Sequence, residues 1–293
     1  MSRIAHLSDL HLLEPAVAAR RGTDWVRVHY LSLRRSLDYV ARRARAETAL
    51  RAAREHGFDH LVLTGDLTED GVLAQYEVLA DVLEASGIPA ERITLVPGNH
   101  DAYGTAMPWE AALAGPLARW AETSAAGSAA WMDDCVIVPV SSAIPQTFLR
   151  SSGRVETLAL DSVGAIAARE PGRPVVVAQH HPPYAVMHQW VHGLVNHDAV
   201  TGLLHARDNV SLLHGHTHRR KERGLVVGGP LRIFSPWAVA DNVAPLRMYD
   251  VAEGLLHPLP ALVARPDPLA AVCRDVEAMG GVVLRDVGAL SRG

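Results

Sequence analysis

Ile93-Thr94-Leu95-Val96-Pro97-Gly98-Asn99-His100-Asp101 joins a short apolar run to a turn that carries an amide, an imidazole and a carboxylate. A run of that length, rich in β-branched residues and bounded by Pro and Gly, reads as a buried strand. The same construction recurs along the chain. Ile4-Ala5-His6-Leu7 leads into Asp9-Leu10-His11, Leu61-Val62-Leu63 into Gly65-Asp66, Val175-Val176-Val177-Ala178 into His180-His181-Pro182-Pro183, and Val210-Ser211-Leu212-Leu213 into Gly215-His216-Thr217-His218. Open α/β sheets bind ligands at the carboxyl ends of their strands, so five strands would deliver these side chains to one edge.

The side chains offered are carboxylate and amide oxygens and imidazole nitrogens, with no thiolate. That mixture suits zinc, manganese, iron, cobalt or nickel. In an extended segment residues i and i+2 point to one side, so Asp9 with His11, and His216 with His218, are expected to present ligands in pairs. Asp66 is the natural bridge, because its two oxygens can serve two cations. Gly65, Gly98 and Gly215 permit tight turns and a close approach of backbone to the ions. The site is therefore read as a hydrolytic centre holding two divalent or mixed-valence transition metal ions.

Composition sets the frame for this reading. The 293 residues are 48% hydrophobic and 20% charged, enough to bury a large core in one catalytic domain with an appendage. A formal charge of −4 provides no global attraction to nucleic acid or to an anionic membrane. Cys135 and Cys273 are far apart and follow no metal or redox spacing, which suits a reducing interior. The chain enters its first strand at Arg3, leaving no room for a signal peptide, and no apolar run reaches membrane-spanning length. A cytoplasmic enzyme is expected.

Helical patterns are expected over 73–84, 156–169 and 198–206, and short strands at Leu225-Val226-Val227 and Leu231-Arg232-Ile233-Phe234. The alanine-rich stretch 125–130 reads as a loop. Alternating elements followed by short strands argue for an α/β sandwich of two mixed sheets flanked by helices. Between the first two motifs, residues 12–56 form a loop and a basic helix. From about Leu31 to Glu55 the pattern places Leu33, Leu37, Val40, Ala41 and Ala44 on one face and Arg34, Arg35, Arg42, Arg43 and Arg45 on another, read foremost as a solvated outer face and otherwise as a basic flank that attracts a phosphorylated substrate or an anionic surface. Trp25 and His29 before that helix, and His188 and His192 after the His-His-Pro-Pro motif, are candidate substrate contacts, since loops leaving a catalytic edge carry specificity. The tail 258–293 opens on Pro258-Leu259-Pro260 and contains a helical stretch to Met279. It is read as a cap or a homodimer contact.

The ordered set D-x-H, GD, GNHD, H and GHxH resembles the calcineurin-like metallophosphoesterases over residues 1–250 or so. The resemblance implies a four-layer αββα sandwich over 1–257. It also implies that Asp9, His11, Asp66 and His218 hold one metal, and Asp66, Asn99, His180 and His216 the other. His180 is preferred to His181 because the family ligand is followed by one residue and then Pro, and His214 is read as a packed histidine. Two cations about 3.5–4 Å apart would polarise the phosphoryl oxygens and turn a shared water into a hydroxide nucleophile. His100 would stabilise the transition state or protonate the leaving oxygen. Asp101 would orient the neighbouring histidine or support the loop.

Gly65-Asp66-Leu67-Thr68 and Asn99-His100-Asp101 look like the branch that includes cyclic-nucleotide and other phosphodiesterases. The GDxVDRG and GNHE patterns of the protein serine/threonine phosphatases are absent. A small phosphodiester is the expected substrate, a cyclic nucleotide and a phospholipid-derived diester being the classes in view. A phosphomonoesterase or a pyrophosphate-cleaving hydrolase is the alternative within the enzyme class. A non-catalytic scaffold would be expected to have lost ligands, and none is missing. A nuclease would need a nucleic-acid-binding module that the acidic chain does not show.

Overall fold

The computed structural model describes residues 1–260 apart from residues 34, 104–107, 148, 187 and 243–244. The tail beyond residue 260, with its expected helix, its role as cap or dimer contact, and Cys273, lies outside the described residues. The strands are β1 (Arg3–Leu7), β2 (His60–Thr64), β3 (Ile93–Val96), β4 (Ala130–Trp131), β5 (Val136–Pro139), β6 (Val175–Ala178), β7 (Val210–Leu213), β8 (Lys221–Gly224), β9 (Leu231–Ser235), β10 (Arg247–Ala252) and β11 (Leu255–Pro258). The helices are α1 (Gly22–Leu31), α2 (Tyr39–His56), α3 (Leu73–Ala85), α4 (Trp109–Ala114), α5 (Ala121–Ser124), α6 (Thr157–Arg169), α7 (Gln189–His192) and α8 (His197–Ala206).

Two sheets form, in the orders β11-β10-β1-β2-β3 and β4-β5-β6-β7-β9-β8. Both are mixed: β1, β2 and β3 are parallel, as are β5, β6, β7 and β9, whereas β10, β11, β4 and β8 are antiparallel to their neighbours. Alternation along each strand builds the layers. Ala5, Leu7, Leu61 and Leu63 pack outward with Ala46, Ala49 and Leu50 of α2 and Leu79 and Val82 of α3. Ile4, Val62, Ile137, Val176, Ala178 and Leu213 meet between the sheets. Val136, Val175, Val177 and Leu212 face Val163 of α6 and Val200 and Leu204 of α8. The result is the expected sandwich of two mixed sheets flanked by helices, and the apolar runs are buried on both faces because helices cover what the second sheet does not.

Two local expectations are corrected. Helix α2 starts at Tyr39, not Leu31, because Asp38 accepts a hydrogen bond from the Ala41 N–H at 3.0 Å and caps it there. Leu33 and Leu37 precede the helix and so do not mark its buried face. Arg42, Ala46, Ala49, Leu50 and Ala53 are the buried positions, whereas Leu33 and Val40 are exposed. Arg35 and Arg42 do not lie on a solvated outer face: Arg42 is buried and pairs with Glu69, which also receives Arg35. Arg45 donates to the Ala240 carbonyl.

The strand expected at Leu225-Val226-Val227 falls instead on Lys221–Gly224, and Val226 and Val227 are exposed in the connection to β9. This is an edge strand, where charged side chains are tolerated and discourage pairing with another chain. Among the described residues no helix is long and apolar enough to cross a membrane.

Candidate metal centre

The turns that follow β1, β2, β3, β6 and β7 converge at one end of the sandwich, and each brings side chains from the motifs described above. Asp9, His11, Asp66, His216 and His218 all have positive φ, between 48° and 67°. That left-handed region costs side-chain-bearing residues energy and is kept only where the surroundings over-determine it. Here they do: Asp9 N–H donates to Gly65 O at 3.0 Å, His11 N–H to Asp66 O at 2.9 Å, and His216 N–H to Asp9 Oδ1 at 3.1 Å. The pairing of Asp9 with His11, and of His216 with His218, does not arise from extended backbone. The residues sit in turns beyond the strand ends, and His216 and His218 point into different clusters.

One cluster gathers Asp9, His11, Asp66 and His218. His11 Nε2 lies 3.3 Å from His218 Nε2 and 3.8 Å from Asp66 Oδ2, and His218 Nε2 lies 3.5 Å from Asp9 Oδ1. The other gathers His180, His216 and Asn99 around the second face of Asp66. His180 Nε2 stands 3.3 Å from Asp66 Oδ1, 3.1 Å from Asn99 Oδ1 and 3.2 Å from His216 Nδ1, which is itself 2.9 Å from Asn99 Oδ1. The Asp66 carboxylate therefore has one oxygen toward each cluster.

His180 Nδ1 donates to Thr64 O at 2.8 Å, which leaves Nε2 for the cluster. His181 packs nearby, but its ring nitrogens are engaged by Ser142 Oγ at 2.8 Å and Ser151 O at 3.0 Å. His214 is buried, with Nδ1 at 2.9 Å from Gly215 O.

Burial leaves no room for bulk. A Cβ on Gly98 would stand 2.2 Å from Asp66 Oδ1, and one on Gly215 would stand 1.9 Å from Ser8 Oγ and 2.8 Å from Asp9 Oδ2. These glycines allow the turns to close on the carboxylates.

The donor set fits a cation. Asp9 Oδ2 is buried with no hydrogen-bond partner, an arrangement that costs energy unless a positive group satisfies it. Burial holds His11 and His216 well below the ordinary histidine value, which keeps their lone pairs free. Burial alone would lift Asp66, but His180 and His100 beside it hold it well below the usual carboxylate range. Burial opposes charge on His180 too, yet the Asp66 and Asp9 carboxylates raise it to about 9. Carboxylate oxygens and imidazole nitrogens facing a common point are what transition metals bind.

His100 stands at the edge of both clusters. Its Nδ1 donates to Glu69 O at 2.7 Å, its ring meets His11 edge-on at 4.5 Å, and its Nε2 is left toward a cavity of about 360 Å³ that Asp66, Asn99, His192, His216 and His218 also line. Asp101 does not face that cavity or the His100 ring. Its buried carboxylate accepts from the N–H groups of Gly98, Leu67 and Thr68 at 2.8, 3.0 and 2.9 Å and from Thr68 Oγ1 at 2.6 Å. It staples the turn after β2 to the turn after β3.

The four candidate substrate contacts divide. His192 lines the cavity, its carbonyl accepting from His216 Nε2 at 2.6 Å and its Nδ1 lying 2.7 Å from Ser151 Oγ. Trp25 and His29 stack on each other at 3.9 Å on α1, and His188 precedes α7 in a left-handed conformation; none of the three is among the residues that line the cavity. Sequence reasoning missed Glu69 and Asp241, which face the outer nitrogens of His11 and His218. No local pattern marks either.

A probable cyclic nucleotide phosphodiesterase of Synechococcus sp., syc0937_d, is 37% identical over 98 residues, which span 33% of this chain and 31% of that protein. Among solved structures, a dimetal phosphatase from Danio rerio superposes with a TM-score of 0.64 at 14% identity, covering 86% of this chain and 93% of that one. The protein TT1561 of Thermus thermophilus gives 0.52 at 14% identity, covering 89% and 99%. These likenesses show a shared fold. Residues 2–220 match the calcineurin-like phosphoesterases, and the chain belongs to that family of metal-dependent phosphoesterases.

Proposed function

We propose that the chain hydrolyses a small phosphodiester at a dinuclear metal centre. The observation that carries this reading is the Asp66 carboxylate, with one oxygen toward His11 and the other toward His180. Asp9, His11, Asp66 and His218 would hold one ion, and Asp66, Asn99, His180 and His216 the other. Bound there, the ions would polarise the phosphoryl oxygens and lower the pKa of a water shared between them. Their identity among manganese, iron, zinc, nickel and cobalt is set by geometry and supply.

The chain's own residues supply the rest. With Nδ1 committed to the Glu69 carbonyl, the His100 ring is fixed in orientation and Nε2 is the nitrogen that meets the substrate. As an imidazolium it donates that proton to the leaving oxygen, and its charge also stabilises the equatorial oxygens of the transition state. The Asp101 staple keeps the Asn99 and Asp66 turns in register, so the ligand and the acid move as one unit.

A diester is favoured over a monoester by the Gly65-Asp66-Leu67-Thr68 and Asn99-His100-Asp101 patterns and by the partial relative, a probable cyclic nucleotide phosphodiesterase. The test is hydrolysis of bis(p-nitrophenyl) phosphate beside p-nitrophenyl phosphate by protein stripped of metal and reloaded with each candidate ion. Metal-dependent cleavage favouring the diester is expected. A preference for the monoester would move the reading to a phosphomonoesterase, and silence with every ion and both esters would overturn it.

A further inference from the structure

His218 and His11 face each other through their Nε2 atoms at 3.3 Å, and each presents its other ring nitrogen to a carboxylate. His218 Nδ1 is hydrogen-bonded to Asp241, and His11 Nδ1 lies 3.4 Å from Glu69 Oε2. Neither carboxylate touches the cavity, and neither belongs to a strand-end motif.

We infer that Asp241 is a positioning residue: it fixes the tautomer and the ring orientation of His218, so that Nδ1–H points to the carboxylate and Nε2 points at the Asp9 cluster. Glu69 faces His11 Nδ1 at 3.4 Å without a hydrogen bond to it, so only its charge acts on that ring. A carboxylate on the outer nitrogen raises the basicity of a ligating imidazole and stops its ring from turning. The inference rests on the dinuclear reading above and assigns to it two residues that the ligand motifs do not contain.

The placement of Asp241 is built, not incidental. After β9 the chain turns so that the Val239 N–H donates to Ser8 O at 3.0 Å and the Ala240 N–H donates to Asp9 O at 3.1 Å. The segment that carries Asp241 is thus hydrogen-bonded to the backbone of the turn that carries Asp9. Arg45 of α2 donates to the Ala240 carbonyl and holds it from the other side. Glu69 is held in a parallel way by Arg42 and Arg35, and Arg42 also donates to the His11 carbonyl at 2.8 Å. Arg35 and Arg42 therefore hold Glu69 itself, and Arg45 holds the backbone that precedes Asp241.

Asp241 is the better test, because its side chain is 41% exposed and its loss leaves no buried charge, whereas Glu69 is fully buried between arginines. Two quantities would be measured on wild type, Asp241→Ala and Asp241→Asn. One is Mn²⁺ and Zn²⁺ affinity by competition with a chromophoric chelator. The other is the ¹⁵N signature of His218 in metal-free protein at alkaline pH, where the ring is neutral.

Asp241→Ala should weaken one of the two ions by about 10–100-fold and lose the Nδ1–H tautomer preference. Asp241→Asn, whose amide oxygen still accepts from Nδ1–H, should fall between. Wild-type affinity for both ions in Asp241→Ala, or weaker affinity with the tautomer unchanged, would overturn the assignment. A wild type that takes up fewer than two ions would instead defeat the dinuclear reading, and the tautomer comparison would still decide for or against Asp241.

Discussion

Asp66 Oδ1 accepts the backbone N–H of His100 at 2.8 Å, so the carboxylate at the junction of the two clusters also seats the turn that carries the proposed acid. Removing it should therefore disturb metal and acid together. Asp66→Ala is expected to lose both ions and at least about 1,000-fold in kcat/KM, a loss of more than about 4 kcal/mol of transition-state stabilisation. Asp66→Asn keeps an oxygen for the His100 N–H and removes only the charge, so it should stay folded and still lose metal. Elemental analysis after desalting, beside the diester assay, checks both; two tightly held ions and normal turnover in Asp66→Ala would sink the proposal.

His100 touches the clusters only through its ring edge and its backbone, so His100→Ala should retain both ions. The expected loss of rate is about 10²–10⁴-fold if it acts as general acid. The size of the loss should depend on the leaving group. A p-nitrophenolate departs without a proton, whereas an alkoxide needs one, so the variant should suffer more on an alkyl diester than on bis(p-nitrophenyl) phosphate. Equal losses on both would assign His100 to charge stabilisation alone.

The proposed ligands were brought to notice by their place, each within three residues of a β-branched run or in the turn just beyond it, and strand ends in an α/β sheet share an edge. The pattern also carried the layers, since Ile4 and Val62 alternate with Ala5 and Leu63 between the inner and outer cores. What resisted reading depends on contacts between distant segments. Glu69 and Asp241 matter because folding puts them behind His11 and His218, and nothing near them in sequence says so. The face of α2 was misjudged because Asp38 caps the helix after Leu33 and Leu37, which were counted on its apolar face, and because a buried arginine looks like a solvated one until Glu69 is placed opposite it.

Arg42 supplies a stability prediction from that same contact. Its guanidinium is buried against Glu69, the Ser36 and His11 carbonyls and Ser32 Oγ. Burying two charges gains little over an apolar pair, and removing Arg42 leaves Glu69 with Arg35 and takes a donor from the Ser36 and His11 carbonyls. Arg42→Met should cost about 1–3 kcal/mol. The double variant Arg42→Met/Glu69→Met should recover part of that loss while His11 loses its carboxylate. Urea unfolding of the metal-free proteins measures the first effect, and metal affinity of the double variant measures the second.

His60 gives a pH dependence that is independent of the metal centre. It sits at the start of β2, buried, with Nε2 at 2.8 Å from Thr94 Oγ1 on the neighbouring strand. Burial, with Arg92 adding repulsion, lowers its pKa from 6.5 to about 4. The folded protein thus favours the neutral ring. Above pH 6.5 the ring is neutral folded or unfolded, and His60 contributes no pH dependence. Between 6.5 and 4 the unfolded chain takes up a proton that the folded chain refuses, so stability falls as the pH falls. The full shift corresponds to about 3 kcal/mol. His60→Gln can still reach Thr94 but cannot titrate, so between about pH 7 and about pH 4 the wild type should lose about 3 kcal/mol more than the variant. Denaturant unfolding of both metal-free proteins across that range measures the difference; parallel curves would mean that His60 protonates in the folded state without penalty.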